Sequence, residues 1–144
     1  MDAYGTFNEI LVRLFNEIME LEQKAIITDE FRDISNNDMH IIEAVGAGEP
    51  KSMSTAAKSL KVTVGTLTIA INNLVKKGYV NRVRSEEDRR VVLISLSEKG
   101  IRAYRHHEEF HKNMIEATLN GLSEEETKVL VRALSNLSHY FKSL

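Results

Sequence analysis

The chain has 144 residues, of which 42% are hydrophobic and 28% charged, with a formal net charge of −2; this is enough for one compact domain with a full core. It contains no cysteine, which excludes disulfides, thiolate metal ligands and thiol-based peroxide sensing. No apolar run approaches the ~18 residues of a membrane span and no signal-peptide pattern is present, so a soluble cytoplasmic protein with no membrane partner is expected.

Ala3 to Ile27 read as a long amphipathic helix, with Phe7, Ile10, Leu11, Leu14, Phe15, Ile18, Leu21 and Ala25 at helical spacing. A polar connection, Thr28 to Ile34, follows. Ser35 then opens a helix with Asp38 three residues on, a weak capping-box match, and Met39, Ile42 and Val45 form its inner stripe. Gly46 to Pro50 ends it and leads into a short extended piece near Met53.

Ser54 is the expected cap of the next short helix, which buries Ala56, Ala57 and Leu60. After a turn through Lys61 and Val62, Thr63 caps another, striped by Leu67, Ile71, Leu74 and Val75. Gly78 stops it, after Lys76 and Lys77 at the negative end of the helix dipole. Two helices joined by a short turn make a helix-turn-helix. The period then changes to that of strands over Tyr79–Arg84 and Val91–Leu96, with Ser85 to Arg90 as a polar hairpin tip and Val92, Ile94 and Leu96 on one face. A helix-turn-helix with a β-wing results.

The outer face of the second helix, opposite Leu67, carries Gly65, Ile69 and Lys76, flanked by Thr66, Thr68, Asn72 and Asn73. An ordinary solvated helix carries long charged side chains there. A small face of hydroxyls, amides and methyls suits close approach to base edges: Thr and Ile against thymine methyls, Asn against adenine. No arginine precedes Arg82 on this face, so an A/T-rich site is expected. Charge agrees locally. Lys51 to Arg90 hold nine Lys+Arg against three Asp+Glu, a net of +6, which leaves −8 for the remainder. A basic module on an acidic body has the footprint that phosphate neutralisation requires. The expected DNA contacts are Ser54, Thr63, Gly65, Thr66, Thr68, Ile69, Asn72, Asn73, Lys76, Lys77, Arg82, Arg84, Asp88, Arg89 and Arg90. Arg90 is the one expected in the minor groove, oriented by Asp88.

Ser97 starts a helix running to about Asn120, and Gly121 ends it. Ser123-Glu124-Glu125-Glu126 is a strong capping box for a last helix striped by Val129, Leu130, Ala133, Leu134, Leu137, Tyr140 and Phe141. Helices at both chain ends thus carry more apolar surface than one copy covers, and a homodimer would bury it.

The pattern L-x-x-x-G-[YL]-[VI]-x-R…D-x-R…L-[ST]-x-x-G is met by Leu74, Gly78, Tyr79, Val80, Arg82, Asp88, Arg90, Leu96, Ser97 and Gly100. In this the chain resembles the MarR family of winged-helix repressors, and the likeness covers essentially its whole length. The resemblance implies a mainly α fold with a small β-wing (α+β) and long terminal helices that dimerise. It implies a single domain over 1–144: an N-terminal dimerisation helix and connection (1–34), the winged helix-turn-helix (35–100) and C-terminal dimerisation helices (101–144). The partner implied is a double-stranded inverted repeat. More narrowly, M-H-I-I-E-A-V-G, L-K-V-T-V-G-T-L-T, L-V-K-K-G-Y-V-N-R-V-R-S-E-E-D-R-R-V-V and F-H-K-N-M are similar to the fatty-acid synthesis repressors of Gram-positive bacteria. That subgroup implies an effector, a long-chain acyl group delivered by acyl carrier protein, in an apolar pocket between the dimer helices and the DNA module. Phe15, Met19, Met39, Ile42, Phe110 and Met114 are candidate walls and equally suited to plain core, with His106 near the mouth.

No cofactor or metal is required by any motif. His107 and His111 stand one turn apart and could share a zinc ion, yet two histidines alone rarely make a site, and hydrogen-bonded or solvated rings account for them better. No G-x-S-x-G, Walker loop, HExxH or dinucleotide fingerprint is present, so no enzyme is expected; Glu86, Glu87 and Asp88 pair more naturally with Arg89 and Arg90 than act as acids or bases. Two classes of function remain: a repressor whose DNA affinity depends on an acyl chain, a small aromatic ligand or a metal, and a winged-helix module for protein contacts. Arg84, Arg89, Arg90 and the small helix face favour the repressor.

Overall fold

A computed structural model describes the chain except for Met1, Ile27 and Asp29. Among the described residues the elements run α1 (Ala3–Ile26), α2 (Asn36–Val45), β1 (Lys51–Ser52), α3 (Met53–Leu60), α4 (Val64–Lys76), β2 (Val80–Arg84), β3 (Val92–Leu96), α5 (Glu98–Leu119) and α6 (Glu124–Lys142). They fall into two compact units, Met1–Phe110 and His111–Leu144. The expected last residue of the first helix, Ile27, lies outside the described residues.

The first unit is built around the helix-turn-helix. Ile42, Leu67, Ile71, Leu74, Tyr79 and Ile94 are fully buried, so the stripes of α2 and α4 and the inner face of the wing share one core. The sheet is antiparallel in the order β1-β3-β2, with Val80 opposite Leu96 and Arg84 opposite Val92. The connection after α1 is less polar than its sequence suggests. Phe31 and Ile34 are buried in the core, while Glu30, Arg32 and Asp33 beside them are exposed.

Two expectations about helix ends meet different outcomes. Thr63 caps α4, accepting from the Thr66 amide at 3.1 Å. Ser54 is not the cap of α3; Ser52 is, accepting from the Thr55 amide at 3.1 Å. The reason is the strand before it. β1 pairs with β3 as far as Ser52, and an extended residue leaving a sheet already has the backbone of an N-cap, here φ −72 and ψ 155. α3 ends with Lys61 in the left-handed region at φ 58, where the Val62 amide donates to Ala57 O and the Lys61 amide to Lys58 O. α4 ends in the same motif around Gly78, φ 88, with Tyr79 N donating to Leu74 O and Gly78 N to Val75 O.

The wing is joined to α5 by a close contact. Ser97 donates its hydroxyl to Gly78 O and accepts from the Gly100 amide. A Cβ on Gly100 would stand 2.1 Å from the Tyr79 carbonyl oxygen, so only glycine fits. In the second unit, Ser123 and Glu126 complete the expected capping box, with bonds of 3.1 and 3.0 Å. α6 has no buried residue.

Candidate nucleic-acid interface

α4 and the wing present the residues singled out in the sequence. Leu67, Ile71 and Leu74 face the core, so the opposite side is turned to solvent, with Ile69 69% exposed and Gly65, Thr66, Asn73 and Lys76 also exposed. Several polar groups on this side are already held. Thr63 donates its hydroxyl to Thr66 Oγ1, and Thr68 donates to Val64 O. Their methyls are thereby oriented, which favours apolar contact with thymine over hydroxyl bonds to bases.

Asn72 has a partner that helix reading alone does not provide. Arg82, on β2, donates from its guanidinium to the Asn72 amide oxygen. Bidentate pairing with adenine needs both that oxygen and the NH2 group. With Arg82 in place, one of the two lone pairs on the Asn72 oxygen is taken, which leaves the other lone pair and the NH2 group for a base.

The wing tip is organised by Asp88. Its carboxylate accepts from Arg90 Nε at 3.0 Å and from a terminal guanidinium nitrogen at 3.1 Å, and also from the Arg90 backbone amide. This is the expected bidentate pair, and donation from Arg90 holds the Asp88 carboxyl below its ordinary range. The Arg90 side chain is 91% exposed, so the fork is aimed outward yet restrained. Arg84 donates to Arg89 O and closes the hairpin, while the Arg89 side chain stays exposed. Between the start of α3, the start of α4 and the wing lies an open groove of about 680 Å³, lined by Ser54, Thr68, Arg82, Arg84 and Arg90 among others. Two helix N-termini and three guanidinium groups border it, which suits a phosphate backbone.

Lys77 departs from expectation. It is turned inward, donating to Asp33 O at 2.6 Å and lying 3.7 Å from the Asp38 carboxylate. It ties the end of α4 to the connection after α1 rather than facing outward. Tyr79 strengthens the tie: its hydroxyl donates to Asp33 Oδ1 at 2.7 Å, and Lys99 lies 4.6 Å from its ring centre. Burial first, then the neighbouring Asp33, pushes the Tyr79 phenol well above its ordinary range, while Tyr79 holds the Asp33 carboxyl low. No sequence signal points to Asp33, which lies 46 residues from Tyr79.

The candidate effector residues separate. Met39 and Ile42 are 2% and 0% exposed and belong to the core of the winged module. Phe15 and Met19 are exposed on α1, and Phe110 and Met114 half-buried on α5. His106 Nε2 is 2.7 Å from Ala25 O, and its ring lies 5.8 Å from Phe31, so it joins α5 to the end of α1. His107 is buried and His111 half-buried. Among the described residues, no helix is long and apolar enough to cross a membrane.

The family described as "Transcriptional regulator SarA/Rot" matches residues 22–107. In structure the chain is similar to Streptococcus pneumoniae FabT in complex with DNA, at TM-score 0.87 and 41% identity over 97% of this chain and 98% of that one. Staphylococcus aureus MepR in complex with DNA is similar in fold, at TM-score 0.67 and 24% identity over 92% and 95%. The Bacillus subtilis HTH-type transcriptional regulator YpoP is 26% identical over 136 residues, 94% of this chain and 91% of its own length.

Proposed function

Because the chain belongs to the MarR family of winged-helix regulators, with a SarA/Rot-type core, and is a DNA-binding transcriptional regulator rather than an enzyme, we propose that it represses fatty-acid synthesis genes as a homodimer. Long-chain acyl groups on acyl carrier protein raise its operator affinity. The observation that carries this reading is the likeness to FabT, which runs through the terminal helices as well as the winged module. It agrees with the subgroup motifs in the sequence.

The homodimer is supported by apolar surface. Phe7, Ile10, Leu14 and Phe15 on α1, and Val129, Leu134, Tyr140 and Phe141 on α6, are all about half exposed or more. A second copy removes such stripes from water, at roughly 25 cal/mol per Å² of apolar area. Two-fold pairing then sets two α4 helices against an inverted repeat. The small methyl-bearing face of α4 and the outward Arg90 favour an A/T-rich operator, with Arg90 in a narrow minor groove.

For the acyl group to strengthen DNA binding, it must bind the DNA-competent dimer better than the incompetent one. A tenfold gain in operator affinity needs about 1.4 kcal/mol of such preference. The apolar side chains of Phe15, Met19 and Phe110 in the first unit are candidates to meet the acyl chain. The test is an operator titration with apo carrier protein, then with its short-chain and long-chain acyl forms. A graded rise in affinity with chain length is expected. Equal affinity in all three, with a shift caused by an aromatic acid, would leave a MarR-type repressor with a different effector.

A further inference from the structure

α4 and the wing are joined by a short piece of chain. α4 ends at Lys76 and β2 begins at Val80, so Lys77, Gly78 and Tyr79 set the angle between the two DNA-facing elements. Asp33, in the connection before α2, holds this joint twice. Its backbone oxygen accepts from Lys77 Nζ at 2.6 Å, and its carboxylate accepts from the Tyr79 hydroxyl at 2.7 Å. The Asp38 carboxylate, 3.7 Å from Lys77 Nζ, steadies the same ammonium. Tyr79 is fully buried, so its bond leads from the connection into the core of the module. The connection is gripped on other sides as well. Arg102 on α5 donates to the Glu30 carboxylate at 2.5 Å, and the His106 ring lies 5.8 Å from that of Phe31. Asn36, at the start of α2, donates its amide to Gln23 Oε1 on α1 at 3.1 Å. The joint is thereby referred to α1, α2 and α5 together, through Asp33.

Asp33 carries no chemistry that attracts DNA. A carboxylate repels phosphate, so by charge alone its removal leaves DNA binding equal or stronger. By geometry the opposite follows. Base-edge readout needs α4 and the wing held within a fraction of an ångström of their productive placement. A joint released from Asp33 samples other orientations, and affinity falls with the fraction of molecules that leave the competent one. Charge and geometry therefore predict changes of opposite sign at this residue.

We infer that Asp33 is a positioning residue for DNA binding: an acidic side chain belonging to neither DNA-facing element, which strengthens DNA affinity by fixing the α4–wing joint through Tyr79. Lys77 acts in the same device, as a tether to the connection rather than a phosphate contact. This role requires only that the chain bind DNA, and it stands independently of the fatty-acid reading.

The test uses the full chain and a duplex that the parent selects from a random pool. The active fraction is fixed by stoichiometric titration well below the thermal midpoint, so that lowered stability alone does not register. Asp33 is exposed and opens no cavity when replaced, so its variants should keep their fold. Asp33→Ala should weaken binding about tenfold, with the slope of log affinity against log salt unchanged. Asp33→Asn loses the same charge but keeps an oxygen to accept from Tyr79, so it should recover most of the affinity. Tyr79→Phe should match Asp33→Ala, and the two changes together should cost no more than either alone. Lys77→Ala should also weaken binding without lowering the slope, whereas loss of a phosphate contact takes about 0.9 from it. Binding by Asp33→Ala equal to or tighter than the parent's would overturn the inference. So would equal losses in Asp33→Ala and Asp33→Asn, or additive losses at Asp33 and Tyr79. A slope lowered by Lys77→Ala would overturn the part given to that lysine.

Discussion

The winged module and the last helix carry similar apolar stripes to opposite ends. In α4, Leu67, Ile71 and Leu74 are essentially fully buried within their own unit. In α6, Val129, Leu134, Tyr140 and Phe141 repeat at helical spacing and remain more than half exposed. The first stripe stabilises the unit it belongs to. The second has no comparable return from its own unit, and under the proposed dimer its return comes from a second chain. Stability and association are therefore separable, and substitutions should divide along that line.

The largest expected effect is in the module core. Leu74→Ala removes a fully buried side chain and should cost about 3 kcal/mol of unfolding free energy, read by denaturant titration. A loss under about 1 kcal/mol would mean that the module is not the unit that holds the fold. Next comes α6. Replacing Leu134 and Tyr140 together with Glu should raise the dimer dissociation constant about a hundredfold or more, through loss of roughly 1.4 kcal/mol at each position. Sedimentation at micromolar concentration checks it. An unchanged dimer would move the interface elsewhere, and a monomeric parent would remove the proposal.

A smaller effect is expected at the wing. Arg90→Ala should weaken operator binding about tenfold and reduce the salt dependence, with the thermal midpoint nearly unchanged because the side chain is almost wholly exposed. Equal affinity in parent and variant would deny Arg90 the minor groove.

The smallest concerns the tie beneath α4. Tyr79→Phe deletes the bond to Asp33 and should cost about 1 kcal/mol at neutral pH. Asp33 is held below its ordinary 3.8, with donation from Tyr79 the largest cause. Its contribution is therefore present above the unfolded value and is lost as pH falls through the folded one. The stability gap between parent and Tyr79→Phe should close below about pH 4. A gap that stays constant down to pH 3 would mean that the carboxylate's charge contributes nothing.

Much of the fold was legible because it rests on local rules. The caps at Thr63 and Ser123, the stop at Gly78, the stripe of α4 and the change of period at the wing all act within a few residues. The Asp88–Arg90 fork was legible for the same reason, at a spacing of two. What could not be read joins distant segments. Lys77 looked like a phosphate contact until Asp33 and Asp38 drew it inward. The bond from Arg82 to Asn72 crosses from strand to helix and alters what Asn72 offers a base. Ser54 reads as the cap of α3 from sequence, and Ser52 takes that place because β1 pairs with β3, which nothing local reveals. Glu22 and Glu43 reach His107 only once three helices are packed.

The central claim is that two copies present the small outer face of α4 and the Arg90 fork to DNA by two-fold symmetry. Selection of bound duplexes from a random pool tests the face and the symmetry together. An A/T-rich inverted repeat is expected, with half-sites about one helical turn apart. A consensus dominated by G/C pairs, or one without an inverted repeat, would contradict it.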